Sequence, residues 1–195
     1  VERSRGLGDV YKRQGIPAAI GFSQVSGIPY ADGLIKNRYV GRTFIQPTQA
    51  MREAGIRVKL NPLPDVLAGK RLVVIDDSIV RGTTSRKLVV ALREAGATEV
   101  HMRISSPPVT HPCFYGIDTD TQDQLIAARL TLEEIEQQLK VDSLAYLSKQ
   151  GMVDAAKAES GHFCTACFDG DYPIPMDQDV LSSKLMLEPA GIAAG

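Results

Sequence analysis

The chain has 195 residues, with 22 basic against 23 acidic side chains and a formal net charge of −1; 44% of its residues are hydrophobic and 23% charged. That balance excludes a disordered chain, and it excludes a binder of nucleic acid or membrane surfaces that works through bulk charge. No apolar run approaches the roughly 18–20 residues of a membrane span, and three cysteines, an odd number, favour a reducing, cytoplasmic setting over a disulfide framework.

Residues 1–14 (VERSRGLGDVYKRQ) carry Arg3, Arg5, Lys12 and Arg13 without an apolar stripe, and the string GLGDVYKRQ resembles translated sequencing-adapter read-through. This segment is set apart as non-native, so that the domain, residues 15–176, is expected to begin in mid-fold at Gly15. Leu72, Val73, Val74 and Ile75 form a continuous apolar run, as in a strand buried on both faces of a parallel sheet. Thr84 to Ala95 reads as a helix with Leu88, Ala91, Leu92 and Ala95 on one stripe, closed by Gly96 in a left-handed cap. Glu99 to Ile104 supplies the next strand, completing a βαβ unit. Thr131 and Glu134 have the spacing of a capping box above Ile135 and Leu139. Asp142 to Ala156 reads as a further helix with Leu144, Leu147 and Val153 inward. Residues 113–167 hold all three cysteines, and 177–195 read as a flexible tail.

Charge is uneven. Between Gly33 and Asn61 stand six basic residues (Lys36, Arg38, Arg42, Arg52, Arg57, Lys59) and one acidic (Glu53), a local excess that points to an anionic small ligand. The stretch from Ile117 to Asp142 is correspondingly acidic.

The most informative string runs from Leu72 to Thr84. A strand leads into Asp76 and Asp77, then Ser78, Ile79, Val80, Arg81, Gly82, Thr83 and Thr84 open a helix. A turn into a helix N-terminus offers unpaired backbone N–H groups and a positive dipole end; Gly82 lets the backbone approach an anion, and Ser78, Thr83 and Thr84 add hydroxyls. No Walker-type loop occurs. Adjacent carboxylates at the C-terminal end of a strand can accept hydrogen bonds from vicinal hydroxyls or hold Mg²⁺. Cys164 and Cys167 form one Cys-x-x-Cys, which taken alone fits a structural pair, a redox pair or half of a zinc site with His111 or His162 nearby.

The string 76–84 resembles the phosphoribosylpyrophosphate motif of the type I phosphoribosyltransferases. Gly27 to Tyr30, Gly33 to Ile45, Val58 to Asn61, Ser105 to Pro108 and His111 to Asp118 narrow the resemblance to the glutamine phosphoribosylpyrophosphate amidotransferases over about Gly15 to Pro175. The resemblance implies an α/β fold, a mostly parallel twisted sheet flanked by helices, truncated at its N-terminal side. It implies formation of phosphoribosylamine from phosphoribosylpyrophosphate and glutamine-derived ammonia, with release of pyrophosphate, at the entry to purine synthesis. By the same resemblance Asp76 and Asp77 bind ribose hydroxyls and Mg²⁺, residues 78–84 cradle the 5′-phosphate, and Lys36, Arg38 and Arg42 lie in a loop that closes over substrate and stabilises departing pyrophosphate. Cys113, Cys164 and Cys167 correspond to three ligands of a 4Fe–4S cluster whose fourth ligand lies outside this chain. Ammonia is expected from an N-terminal glutaminase domain not contained here, the assembly is expected to be a homotetramer, and purine nucleotides are expected inhibitors. Gln14 stands where the family has a serine that contacts magnesium. Alternatives are a nucleobase-salvage phosphoribosyltransferase and a non-catalytic regulator that senses phosphoribosylpyrophosphate.

Overall fold

The computed structural model describes residues 5–7, 15–36, 60–117, 119, 121–157 and 163–174. Four parallel strands form the main sheet in the order β1 (Arg5–Leu7), β4 (Arg71–Asp76), β5 (Glu99–Ile104), β6 (Ser143–Tyr146). β2 (Leu34–Lys36) and β3 (Leu60–Pro62) make a separate antiparallel ribbon. The helices are α1 (Gly15–Ser26), α2 (Pro64–Leu67), α3 (Thr83–Glu94), α4 (Ile126–Arg129), α5 (Leu132–Leu139), α6 (Lys149–Ala155) and α7 (Ala166–Asp169). A 3₁₀ turn, Gln122–Gln124, precedes α4.

β4 explains the layering. All four residues of its apolar run are buried, but alternate side chains go to different cores. Leu72 and Val74 join the larger core with Leu88, Val89 and Leu92 of α3, Val100, Met102 and Ile104 of β5, and Ile135 and Leu139 of α5. Val73 and Ile75 pack instead with Ala19 of α1, against Ala18, Phe22, Ile28 and Tyr30. Both faces of β4 are therefore dry, as the unbroken apolar run required. β5 is amphipathic by contrast: its even-numbered residues enter the core, while half-buried His101 and Arg103 lie on the opposite face.

α3 ends as expected. Gly96 has φ 95°, Gly96 N–H donates to Arg93 O, and Ala97 N–H donates to Leu92 O, so the last carbonyls are satisfied. The capping box of α5 is present in full: Thr131 Oγ1 accepts from Glu134 N–H, and the Glu134 carboxylate accepts from Thr131 N–H.

One expectation needs correction. The helix expected over residues 142–156 is a strand followed by a helix. Ser143–Tyr146 pairs with β5, carrying Leu144 into the core, and only Lys149–Ala155 is helical. Backbone pairing at the sheet edge, helped by the Asp142 carboxylate accepting from Val100 N–H at 2.6 Å, outweighs the helical spacing. The backbone of residues 5–7 pairs in parallel with β4; a parallel ladder needs no particular side chain, so the pairing does not bear on the expected non-native origin of residues 1–14.

Candidate active site

β4 stops at Asp76, paired in register with Ile104, and the chain turns at once. Asp77 N–H donates to the Asp76 carboxylate at 2.8 Å, and Ser78 N–H donates to that of Asp77 at 3.0 Å, so each acid folds the residue after it. From β5, Ser105 N–H and its hydroxyl both donate to Asp76 O, at 2.9 and 3.1 Å, tying the loop to the neighbouring strand's end. Ile79 is 1% exposed and plugs the loop into the core, while Val80 O accepts from Ile126 N–H of α4 at 2.9 Å. The loop is thus held from both sides before any ligand arrives.

Gly82 makes the entry into α3. It has φ 77° and ψ −9°, a left-handed conformation, and a Cβ there would lie 2.7 Å from Ile126 Cδ1. Only glycine fits both the turn and the space. The N-cap residue, Gly82, has no side chain with which to cap α3, so the first N–H groups have no partner within the helix and stand at the positive end of a twelve-residue dipole. Two carboxylates and an uncapped helix N-terminus therefore adjoin at one sheet edge. The first suits hydroxyls or a cation, the second an anion such as phosphate.

Among the loop residues named from sequence, Asp76, Asp77, Ser78, Val80 and Thr84 are half-buried, and Arg81 and Thr83 are exposed. Ile79 and Gly82 are buried, so Ile79 serves as an anchor whose side chain is turned away from any ligand. Lys36 ends β2, whose ribbon partner β3 packs beside α3. Arg38 and Arg42 lie outside the described residues.

The second constellation is the cysteines. Cys113, Cys164 and Cys167 are free thiols; Cys164 is exposed, the other two half-buried. They share one electrostatic neighbourhood. Burial works against ionisation of Cys113, yet the backbone N–H groups of Tyr115, Ile117 and Gly116, together with the Cys167 thiol, hold it below its ordinary value. Cys167 is pushed up to about 11, first by burial and then by Cys113 and Cys164. Thr110 and His111 N–H groups donate to Cys167 O, and Thr110 Oγ1 donates to Phe168 O, which docks α7 onto the segment after β5. Cys113 N–H donates to Thr119 Oγ1 at 2.5 Å. Among the described residues no group of three or more His, Cys, Asp or Glu side chains is drawn tightly enough to hold a single metal ion. His111 turns to Thr110 Oγ1 and packs against Gly170, and His162 lies outside the described residues.

The sequence reading missed the supports of both sites. In the sequence Ser105 stands out only as part of the stretch 105–108, and nothing in its spacing indicates a bond to the Asp76 carbonyl. Phe114 and Tyr115, far from Tyr172 in sequence, meet it in one cluster with ring centroids 5.3 Å (Phe114–Tyr172) and 6.1 Å (Tyr115–Tyr172) apart. His101, on β5 as expected, bonds Ser143 Oγ and the Glu99 carboxylate away from either site.

Comparison with known proteins bears on both constellations. The chain is 76% identical over 174 residues to the amidophosphoribosyltransferase of Synechococcus elongatus, 89% of this chain and 35% of that protein. It is 77% identical over the same length to that of Synechocystis sp., again 89% and 35%. The Bacillus subtilis amidophosphoribosyltransferase is 56% identical over 170 residues, 85% of this chain and 36% of its own. A solved structure of the B. subtilis glutamine phosphoribosylpyrophosphate amidotransferase, complexed with ADP and GMP, superposes with a TM-score of 0.79 at 54% identity, covering 92% of this chain and 40% of that one. A structure described as the allosteric regulatory enzyme of purine biosynthesis gives 0.79 at 53% identity, covering 92% and 39%. No family model matches. The chain spans about a third of the length of the curated relatives it matches. Over the matched residues it is similar in sequence and fold to the amidophosphoribosyltransferases, with the α/β phosphoribosyltransferase fold of a parallel sheet flanked by helices.

Proposed function

We propose that this chain, amidophosphoribosyltransferase in sequence and fold over its matched residues, supplies the phosphoribosylpyrophosphate site of an enzyme that forms phosphoribosylamine and releases pyrophosphate. One observation carries the reading: Asp76 and Asp77 stand at the end of β4 a few residues before the N-terminus of α3, which opens on Gly82 in a left-handed conformation. In this reading the 5′-phosphate sits on the N–H groups of residues 78–84, which fixes the ribose with its vicinal hydroxyls toward the carboxylates. The bond from C1 to pyrophosphate loosens to an oxocarbenium-like state, and the anionic carboxylates beside the ribose favour the positive charge that develops. Mg²⁺ held by Asp76 and Asp77 would neutralise charge on the pyrophosphate. Lys36, Arg38 and Arg42 are proposed to close over the site, excluding water that would compete with ammonia for C1.

The same reading assigns Cys113, Cys164 and Cys167 to a 4Fe–4S cluster, its fourth ligand from elsewhere in the protein. The donor set supports this. It is all thiol, three backbone N–H groups favour the thiolate at Cys113, and Cys167 feels the charges of both other thiols. Ammonia from a glutaminase domain, a homotetramer, inhibition by purine nucleotides and a cytoplasmic location complete the proposal. The likeness to a solved relative complexed with ADP and GMP supports the nucleotide part, and among the described residues no helix is long and apolar enough to cross a membrane.

The test is glutamine- and Mg²⁺-dependent pyrophosphate release by the full-length protein carrying this chain. Asp77→Asn is expected to lower turnover on the order of 100-fold, the usual cost of losing a preorganised charge at the reacting centre. Tight phosphoribosylpyrophosphate binding without pyrophosphate release, with ammonia as well as glutamine, would make the protein a sensor instead.

A further inference from the structure

Tyr172 lies against the cysteine loop without belonging to the ligand set, and its contacts are specific. Its hydroxyl donates to Pro112 O at 2.7 Å, its ring packs on Phe114 and edge-on to Tyr115, and Tyr115 Oη donates to Ile174 O at 3.0 Å while accepting from Ile174 N–H at 3.2 Å. Two phenols thus cross-link residues 112–115 to residues 172–174, sixty residues further along the chain. The loop they clamp is the one whose N–H groups, at Tyr115, Gly116 and Ile117, lie near the Cys113 sulfur. Gly116 adopts φ 148°, a conformation side chains rarely take, and Tyr115, Gly116 and Ile117 are all exposed, so the loop's own burial contributes little to its shape.

We propose that Tyr172 is a positioning residue for the cysteine site: by bonding the Pro112 carbonyl it fixes the 112–117 loop so that Cys113 and its N–H donors are presented to the cluster in one geometry. This inference rests on the cluster reading of Cys113, Cys164 and Cys167. It assigns the hydroxyl, separately from the ring, a role in holding iron. Outer groups that orient ligands characteristically set how tightly a metal centre is retained.

The experiment uses the full-length protein carrying this chain, purified without oxygen, as wild type, Tyr172→Phe and Tyr172→Leu. Iron and sulfide per chain, the visible absorption of the cluster and the rate of iron release to a ferrous chelator are measured, alongside the thermal unfolding midpoint. Tyr172→Phe keeps the ring and loses only the hydroxyl; iron release about fivefold faster than wild type at an unchanged midpoint is expected, the scale of one lost hydrogen bond. Tyr172→Leu, which also loses the ring contacts, is expected to release iron faster still. Wild-type release from Tyr172→Phe, in a protein whose wild type is fully loaded, overturns the positioning role and leaves the cluster reading intact. A wild type that carries no iron overturns the cluster reading and this inference with it.

Discussion

The loop after β4 and the cysteine region are built in opposite ways. The loop is six consecutive residues, 77–82, hung between a strand and a helix, braced by Ser105 on one side and Ile126 on the other, with Ile79 as its plug. The cysteine region gathers residues from 110–117, 119 and 163–174, whose one helix among the described residues, α7, has four residues. Its order comes from hydrogen bonds across about sixty positions: Thr110 to Cys167 and Phe168, and Tyr172 to Pro112. A site carried by contiguous chain on regular elements is rigid without its ligand. A site closed by a few long-range polar bonds depends on each of them.

That contrast can be broken most severely at Gly82. Gly82→Ala puts a side chain at a left-handed φ of 77°, with the end of the Ile126 side chain shifting to admit the Cβ, and is expected to destabilise the fold by about 2–3 kcal/mol, chiefly through backbone strain. Urea unfolding of the variant checks this; an unchanged midpoint would mean the loop yields easily. Next comes Asp142, whose carboxylate accepts from Val100 N–H and from Arg93 at 2.7 Å beside a core strand. Asp142→Ala leaves the Val100 N–H unpaired and should cost about 2 kcal/mol in the same assay. Thr131→Ala removes the α5 cap and should cost about 1 kcal/mol, felt at the loop through Leu139 beneath Gly82.

The smallest effect belongs to the cysteine region and appears only in acid. Burial opposes ionisation of Asp169, but the Thr165 hydroxyl, Asp171 N–H and the Lys149 ammonium at 3.0 Å bring it down to about 2. A carboxylate depressed in the folded state stabilises fully above its unfolded pKa near 3.8 and loses that contribution as pH falls toward 2. Protease susceptibility near residues 163–174 should therefore rise over that window in wild type. In Asp169→Asn the rise should be absent, because the group that titrates is gone. A rise of equal size in the variant would assign the acid sensitivity to another group.

The same contrast decides what could be read from sequence. The apolar run 72–75, the α3 stripe with Gly96 and the capping box at Thr131 are local patterns, and each sits where its spacing put it. Residues 143–146 misled because Leu144, Leu147 and Val153 also fit a helical period; only pairing with β5, which no local window contains, makes them a strand. At the loop, order along the chain was enough to set Asp76 and Asp77 against the α3 N-terminus. Around the cysteines the Cys-x-x-Cys was visible, but Thr119 under Cys113 and Tyr172 over Pro112 are tertiary neighbours without a spacing signature.

The central claim is that the loop's own N–H groups hold phosphate, and amide hydrogen exchange on the full-length protein tests it most directly. Exchange at residues 78–84 would be compared with and without phosphoribosylpyrophosphate and Mg²⁺. The account predicts protection concentrated in those amides, lost in Asp77→Asn. Binding that protects other segments and leaves residues 78–84 unchanged would contradict it.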